Sequence, residues 1–264
     1  MEAKNNIIKG TSVYEDEIFN IPFDKVPLPS EGKLYGGEIP GILEVEYMTT
    51  KDENILYSSE LMSNGAIFNT LVKEKLKDKD IRVEDLLIGD FNEILLFLRK
   101  SAYGDVYTTT TIDPDSGEPT KMIVDLNKFT RKPLSAEFDE KGEFEFVLPI
   151  MNKRITFKMM TVGMGDYINA RAEKLKNKRT NTIPYITVRL ETIIMSIEDK
   201  REKAYISKFV EIMNPRDRLA LMEYIEQIQP GVDLQYTFKS TIRETDFTDT
   251  IVLGLDFFYP TSKK

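Results

Sequence analysis

The chain has 264 residues, with 36 Lys and Arg against 44 Asp and Glu, and it contains no His, Cys or Trp. Without imidazole or thiol there can be no Ser-His-Asp triad, no Cys-His dyad and no disulfide, and a zinc site is nearly excluded. The net charge of −8 argues against a nucleic-acid partner, because phosphate binding requires a surplus of basic side chains.

No segment of the sequence is predicted to enter a membrane. No apolar run approaches the roughly 20 residues that a bilayer-spanning helix needs, and Met1-Glu2-Ala3-Lys4 does not begin the apolar core of a signal peptide. We therefore expect a soluble protein made inside the cell. Its length and its 41% apolar content suit two domains of ~130 residues each.

The first 27 residues are predicted to be an extended arm that orders against a partner, because charge, Asn and scattered apolar residues alternate there without a period. The turn-rich segment 28–35 follows, in which Pro29 extends the residue before it and Gly32 supplies a bend. This segment can place Leu28, Leu34 and Tyr35 against a neighbouring protein. A loop packed on its own domain is an equally good interpretation.

The first domain, residues 28–132, is predicted to mix strands and helices. A strand over 42–47 precedes Thr50 and Glu53, which match a capping box that starts a short helix. A second helix is predicted over 66–76. Asp90 and Glu93 form another capping signature before a helix over 91–100, and Gly104 is placed to end it.

A β-hairpin is predicted to close this domain, with strands over 107–112 and 121–126. Residues 113–118, Asp-Pro-Asp-Ser-Gly-Glu, join them. Three acids beside a Gly suggest a calcium loop, but their spacing misses the ligand ladder of an EF-hand, and Asp-Pro and Ser-Gly are turn chemistry. A turn is the better interpretation.

The second domain, residues 143–264, follows a charged linker over 128–142 and is predicted to be more helical. It opens with a hairpin over 143–150 and 154–159, and a helix over 165–176 comes next. In 185–197 helix and strand compete, and we favour helix. A helix over 205–213 precedes one that Asn214 caps, with Pro215 in its first turn.

Two more strands, over 234–242 and 250–258, end the second domain. The last strand contains Phe257, Phe258 and Tyr259, and three adjacent aromatics on a strand cannot all face one interior. At least one ring is therefore expected on the surface, facing a loop or a partner. The alternative is a strand covered on both faces by its own domain.

The order of elements in the two halves is similar. Each half has a Leu-Pro segment, at 28–29 and at 148–149, then a strand that leads into Met-Thr, and later an Asp-containing helix, a turn and a hairpin. We therefore predict an α+β fold of two related halves, each with helices and β-hairpins, preceded by the arm. Repeated order without a shared polar constellation favours a scaffold over an enzyme.

Four short segments combine Pro, Gly, Asp and aromatic residues. They are Leu28-Pro29-Ser30-x-Gly32-x-Leu34-Tyr35; Leu87-x-Gly89-Asp90 with Arg99 and Tyr103-Gly104-x-x-Tyr107; Asp217-x-x-x-Leu221 with Tyr224-Ile225 and Pro230-Gly231-Val232-Asp233; and Leu253-Gly254-x-Asp256-Phe257-Phe258-Tyr259-Pro260. In this order and spacing they resemble the baseplate hub and tail-assembly proteins of contractile-tailed, T-even-like bacteriophages. The resemblance covers most of the chain, and the terminal Asp-Phe-Phe-Tyr-Pro is its most distinctive part.

Many members of that family carry a Cys-x-x-Cys pair in the first hairpin turn and another in the last, as in small metal ribbons. Here Asp113 and Ser116 stand at the first pair, and Ser240 and Arg243 stand near the second. The resemblance therefore implies that both metal clips are absent here, and it implies no cofactor.

The function implied by the resemblance is a role in building the phage tail baseplate. We expect a non-enzymatic hub subunit or hub and tail assembly factor whose partners are other baseplate, hub or tape-measure proteins, with no nucleic acid, membrane, cofactor or small-molecule substrate. Its expected location is the host cytoplasm during assembly and, for a retained subunit, the virion tail baseplate. We assign no catalytic, cofactor-binding or metal-binding residue. The candidate partner contacts are Leu28, Leu34, Tyr35, Phe257, Phe258 and Tyr259.

Two other functions were weighed. A carboxylate-dependent hub hydrolase has 44 acids to draw on, but none stands in a sequence context that argues for a perturbed pKa. A host-derived binding module would need a recognisable ligand or peptide groove, and the sequence indicates none.

Overall fold

The computed structural model describes residues 20–64 and 66–259 and confirms an α+β fold of helices among several small antiparallel sheets. The helices are α1 Thr50–Leu56, α2 Ser59–Asn64, α3 Ile67–Lys75, α4 Ile88–Tyr103, α5 Val162–Lys174, α6 Tyr185–Ile193, α7 Lys203–Ile212, α8 Pro215–Ile228 and α9 Leu255–Phe258. The strands are β1 Phe23–Pro27, β2 Ile42–Glu46, β3 Val106–Ile112, β4 Pro119–Asp125, β5 Thr130–Lys132, β6 Phe144–Val147, β7 Arg154–Phe157, β8 Ile194–Ile197, β9 Gly231–Asp233, β10 Gln235–Lys239 and β11 Asp246–Thr250. Among these described residues, none of the helices is both long enough and apolar enough to cross a bilayer.

The last residues of the predicted arm form a strand. β1 pairs antiparallel with β2, and Val26 is buried in the core beneath them. The arm boundary at residue 27 is therefore wrong for 23–27, since a buried apolar side chain and a paired backbone fix this stretch in the absence of a partner. Residues 1–19 of the predicted arm lie outside the described residues.

The first core gathers β1, β2, α1, α3, α4 and the β3–β4 hairpin. α4 buries one apolar side, including Ile94, Leu95 and Leu98, and it ends at Gly104, whose φ of 80° suits a residue without a side chain. The predicted stop at Gly104 and the predicted hairpin are confirmed. The capping box is displaced by one residue, because Thr49 is the N-cap of α1 and its N–H donates to Asp52 at 2.8 Å.

The second core lies between the three-stranded sheet β6-β7-β8 and helices α6, α7 and α8. The helix favoured over 185–197 is correct only as far as Ile193. Ile194 and Ile197 are buried in β8, which pairs with β7. The segment therefore forms a helix first and a strand directly after it. β-branched side chains fit such a half-covered sheet better than a continued helix.

The C-terminal part of the chain returns to the first core. Phe238, Ile251, Phe257 and Phe258 are buried among residues of the first half, whereas the second core ends at Ile228. The predicted second domain, 143–264, is therefore not one packing unit. The predicted linker, 128–142, is also part of a sheet, because β5 within it pairs antiparallel with β9.

The predicted strand over 250–258 is wrong beyond Thr250. β11 ends there, and after a non-regular stretch the chain forms the single turn of α9. The strand prediction fails because this stretch is held by packing against the first half instead of by pairing with β10, which has no residues left to pair.

Candidate protein-contact site

The segment 28–35 lies against both cores instead of projecting from the protein. Leu28 is only 2% exposed and belongs to the first core. Leu34 and Tyr35 are half-buried and pack against the second core, and Tyr35 also reaches the first. Leu28 is thus unavailable to a partner, and the alternative of a loop packed on its own protein describes this segment correctly.

Asp90 holds this segment in place. Its carboxylate accepts hydrogen bonds from the backbone N–H of Ser30 at 2.9 Å, the hydroxyl of Ser30 at 2.5 Å and the hydroxyl of Tyr35 at 2.5 Å. The hydroxyl of Tyr35 accepts in turn from the N–H of Leu87 at 2.9 Å. Asp90 is the third residue of α4, whose N-cap is Leu87, so its predicted role as a helix cap is wrong.

Burial dominates the electrostatics of this cluster. It raises the pKa of Asp90, although the hydrogen bonds from Ser30 and Tyr35 oppose the rise. Burial, with the neighbouring Asp90 charge, also raises the pKa of Tyr35 well above its usual range. Tyr35 therefore stays a neutral donor, and the cluster is a structural fastening.

Asp217 makes a matching contact in the second half. It is the third residue of α8, is fully buried, and accepts from the N–H groups of Ile150 at 2.6 Å and Met151 at 3.0 Å, just after Leu148-Pro149. The predicted cap by Asn214 is confirmed, since its side chain accepts from Arg216 N–H at 2.9 Å. Each Leu-Pro segment is thus fastened by the third residue of a helix.

Arg99 joins α4 to the C-terminal segment. Its Nε–H donates to the carbonyl of Phe257 at 2.7 Å, and its Nη1 donates to the carbonyl of Gly104 at 3.2 Å. The guanidinium carbon lies 5.0 Å from the ring centroid of Tyr103. Carbonyl groups and aromatic faces therefore satisfy a cation that is only 3% exposed.

The C-terminal aromatics lie largely inside the protein. Phe257 and Phe258 are fully buried, with ring centroids 5.0 Å from Tyr107 and 5.5 Å from Phe68, respectively. Both are therefore wrong as candidate partner contacts, and the predicted strand is wrong here, because they lie in α9 and pack against β3 and α3. Tyr259 is half-buried, and its hydroxyl donates to the carbonyl of Leu56 at 3.2 Å.

A close backbone approach joins the start of α4 to the end of α8. A Cβ placed on Gly89 would lie 2.0 Å from the carbonyl oxygen of Pro230, so only glycine permits this contact. Neither residue was assigned a role from the sequence beyond its place in a motif. The resemblance-bearing segments around Ser30, Asp90, Arg99, Pro230 and Phe257 thus contact one another in three dimensions.

The two hairpin turns that correspond to the Cys pairs meet at one place. Asp113, fully buried in the first turn, accepts from the N–H and hydroxyl of Thr241, both at 2.8 Å, and from the hydroxyl of Ser240 at 2.9 Å. The backbone donor of Thr241, aided by the other donors, holds the pKa of Asp113 well below its usual range. Hydrogen bonds to a carboxylate therefore connect the two turns. The sequence analysis treats these turns separately and does not predict that they meet.

The outer face of the β3–β4 hairpin carries three exposed apolar side chains beside Lys121 and Asp125 of β4. Val106, Ile112 and Ile123 are 60%, 58% and 69% exposed, while Tyr107 and Val124 on the opposite face are buried. Thr108 and Thr110 complete the outer face on β3. The signal that sequence reasoning missed is the absence of any charged residue over 106–112.

β3 also has a free edge, which we call the β3 edge and which consists of Val106–Ile112. The N–H of Leu126 donates to the carbonyl of Asp105, and the N–H of Asp113 donates to the carbonyl of Glu118. The backbone N–H and C=O groups of odd-numbered residues in β3 therefore face β4, and those of even-numbered residues point away from it. Among the described residues, Arg99 Nη2, 3.4 Å from the carbonyl of Val106, is the one donor to this edge. β3 carries no charged side chain, whereas every other described strand longer than four residues does.

Family models, curated proteins and solved structures were each compared with the chain, and none matches it. The resemblance to phage baseplate hub and tail-assembly proteins therefore stays a sequence-based prediction.

Proposed function

We propose that this protein is a non-enzymatic component of a phage tail baseplate hub, either a hub subunit or an assembly factor, that acts through contacts with other baseplate, hub or tape-measure proteins. The sequence resemblance supports the phage assignment, and the β3 edge supports the contact mode. The proposed partner-contact residues are now Val106, Thr108, Thr110, Ile112 and Ile123.

The observation that carries the proposal is an uncharged, seven-residue edge strand whose outer face exposes Val106 and Ile112. Exposed edges invite strand addition, and proteins that avoid it usually place charges or Pro on such an edge. β3 has neither. A partner strand can bond to the N–H and C=O groups of Thr108 and Thr110 and cover Val106 and Ile112 on the outer face.

Side-chain hydrogen bonds hold the start of the β3 edge in place. Arg99 ties the end of α4 and the carbonyl of Phe257 to the first residue of β3. On the inner face, Thr111 donates to Asp249 of β11, and at the far edge of β4 the hydroxyl of Tyr236 in β10 accepts from Asp125 N–H at 3.2 Å. The hairpin therefore presents its edge on a packed support, which lowers the conformational entropy lost on binding.

A carboxylate-dependent hydrolase has less support. A groove of about 610 Å³ beside β1 and α4 contains Asp24 and Glu93. Asp24 accepts from the hydroxyl of Tyr47 at 2.6 Å, and Glu93 accepts from two nitrogens of Arg131 at 2.8 and 2.6 Å. Each acid is bound to its own donor, whereas glycoside hydrolysis needs two carboxyl groups that flank the substrate.

The test places a charge on the edge. Thr110→Lys puts a solvated cation where a partner strand would pair, and Thr237→Lys is the matched control on the exposed face of β10, which already carries Lys239. Both purified variants should unfold within about 0.5 kcal/mol of wild type, because both sites are exposed. In infected cells lacking the native protein, Thr110→Lys should block baseplate assembly and Thr237→Lys should support it. Normal particle yield with Thr110→Lys would overturn the proposed contact mode.

A further inference from the structure

Arg189, on α6, has a buried nitrogen with nothing to bond to. Among the described side chains, its Nε is the one buried nitrogen or oxygen that lacks a hydrogen-bond partner. A buried donor without an acceptor costs stability, and the cost is larger for a cationic group. A bound water or ion is one of the ways in which such a group is satisfied in native proteins.

Arg189 also lines a small cavity, which we call the seam cavity because it opens where the two cores meet. The cavity measures about 60 Å³ and is lined by two cations, Lys158 and Arg189. Its walls include Ile88 from the first core and Met159 and Ile193 from the second. Apolar walls lower the local dielectric constant and strengthen any charge interaction inside.

Neither cation is neutralised by a described acid. No ion pair or side-chain hydrogen bond joins Lys158 or Arg189 to any described residue, although the chain has 44 acids and a net charge of −8. Gln229, which also lines the cavity, donates to Glu226 at 2.7 Å, so this acid is bound to a neutral donor. Two unpaired cations at one cavity in an acidic protein make a site suited to an anion.

We propose that the seam cavity binds a small oxyanion, a phosphate or a carboxylate, between Lys158 and Arg189. The fork of a guanidinium matches two oxygens of such a group, and a lysine adds a point charge. One water needs ~10–15 Å³ of such space, so the cavity accommodates a group of about four or five non-hydrogen atoms and excludes a nucleotide or a sugar. The bound anion would join the start of α4 to α6 and so connect the two cores.

The site is independent of the role in tail assembly, and it can be tested on the purified protein. At pH 7 and constant ionic strength, replacing chloride by inorganic phosphate or by acetate should raise the Tm in a saturable way, because a ligand that binds only the folded state stabilises it. Protection by phosphate identifies a phosphate site, and protection by acetate identifies a carboxylate site. The same Tm in all three salts would overturn the proposal.

Variants locate the effect. Arg189→Gln and Lys158→Gln should each abolish the rise in Tm, while Lys176→Gln, an exposed cation in the loop after α5, should keep it. Persistence of the rise in Arg189→Gln would also contradict the site. If that variant does not fold, the wild-type protein suffices: the protecting anion should slow modification of Arg189 by an arginine-specific reagent several-fold while exposed Arg179 reacts unchanged, and equal rates would refute the assignment.

Discussion

Replacing Asp90 by Ala removes a single acceptor on which three buried or half-buried donors depend. The N–H and hydroxyl of Ser30 and the hydroxyl of Tyr35 would each lose their partner. Asp90 is fully buried, so an isolated water, and not bulk solvent, is what can replace its carboxylate. The substitution should therefore loosen segment 28–35 from the start of α4, at the point where both cores meet.

The size of the effect follows from the number of orphaned donors. A buried donor without an acceptor costs about 1–3 kcal/mol, and a water that enters the vacated space recovers part of the loss. The cost of three unpaired donors, minus the free energy that a water recovers, gives a destabilisation of about 3 to 5 kcal/mol. At the 2–4 °C per kcal/mol typical of chains of nearly this length, the Tm should fall by roughly 10 °C.

Denaturant unfolding at pH 7, with the slope compared between variants, measures this loss. Asp246→Ala, at an exposed acid of β11, is the control and should stay within about 0.5 kcal/mol of wild type. Because Tyr35 and Asp90 are in contact, Tyr35→Phe and Asp90→Ala should be non-additive when combined. A loss below about 1 kcal/mol for Asp90→Ala, or strict additivity in the double variant, would refute the fastening role.

Three further predictions concern other parts of the structure. Donors of the facing turn, the backbone N–H foremost, depress the pKa of Asp113. The stabilisation that Asp113 provides is therefore complete above its unfolded pKa near 3.8 and is lost as the pH falls towards its folded pKa. The difference in unfolding free energy between wild type and Asp113→Asn should narrow from about pH 5 to about pH 3, and a constant difference would contradict this. Phe257→Ala should cost about 3–5 kcal/mol in thermal unfolding and Tyr259→Phe below about 1.5, and equal losses would exclude the buried placement of α9. Gly89→Ala should leave little folded protein, while Gly165→Ala, in α5 with ordinary contacts at 4.0 Å, should be neutral or stabilising in the same solubility assay.

Elements marked by local signals could be predicted from the sequence. Asn214 followed by Pro215 marks the start of α8, and Gly104 marks the end of α4, because caps and stops depend on residues within one turn of the helix end. The β3–β4 hairpin was predicted for the same reason, since its turn residues specify their own geometry.

Roles decided by distant residues could not be predicted in this way. The same Asp that reads as a cap from its neighbours accepts instead from Ser30, 60 residues earlier in the chain. Phe257 and Phe258 read as a strand, yet their packing against Tyr107 and Phe68 selects a helical turn. In both positions tertiary contacts override a local preference, and no spacing in the sequence records which contact forms.

The candidate contact residues show the same limit. The aromatic and Leu-Pro motifs point to Leu28, Phe257 and Phe258, which are buried, whereas the exposed residues of the β3 edge are Val, Thr and Ile in no recognisable motif. An apolar residue looks the same in sequence whether it faces a core or a partner. Pairing decides exposure here, and pairing is a property of the folded chain.

The segments that carry the resemblance contact one another in the folded protein. Ser30 and Tyr35 bond to Asp90, Arg99 bonds to the carbonyl of Phe257, and Gly89 abuts Pro230. Residues that fasten the fold are constrained by the fold itself, so a match among them argues for a shared architecture. Under the proposed function, the choice of partner depends on residues outside those segments, and Ile112 and Ile123 on the outer face of the β3–β4 hairpin are among the exposed ones.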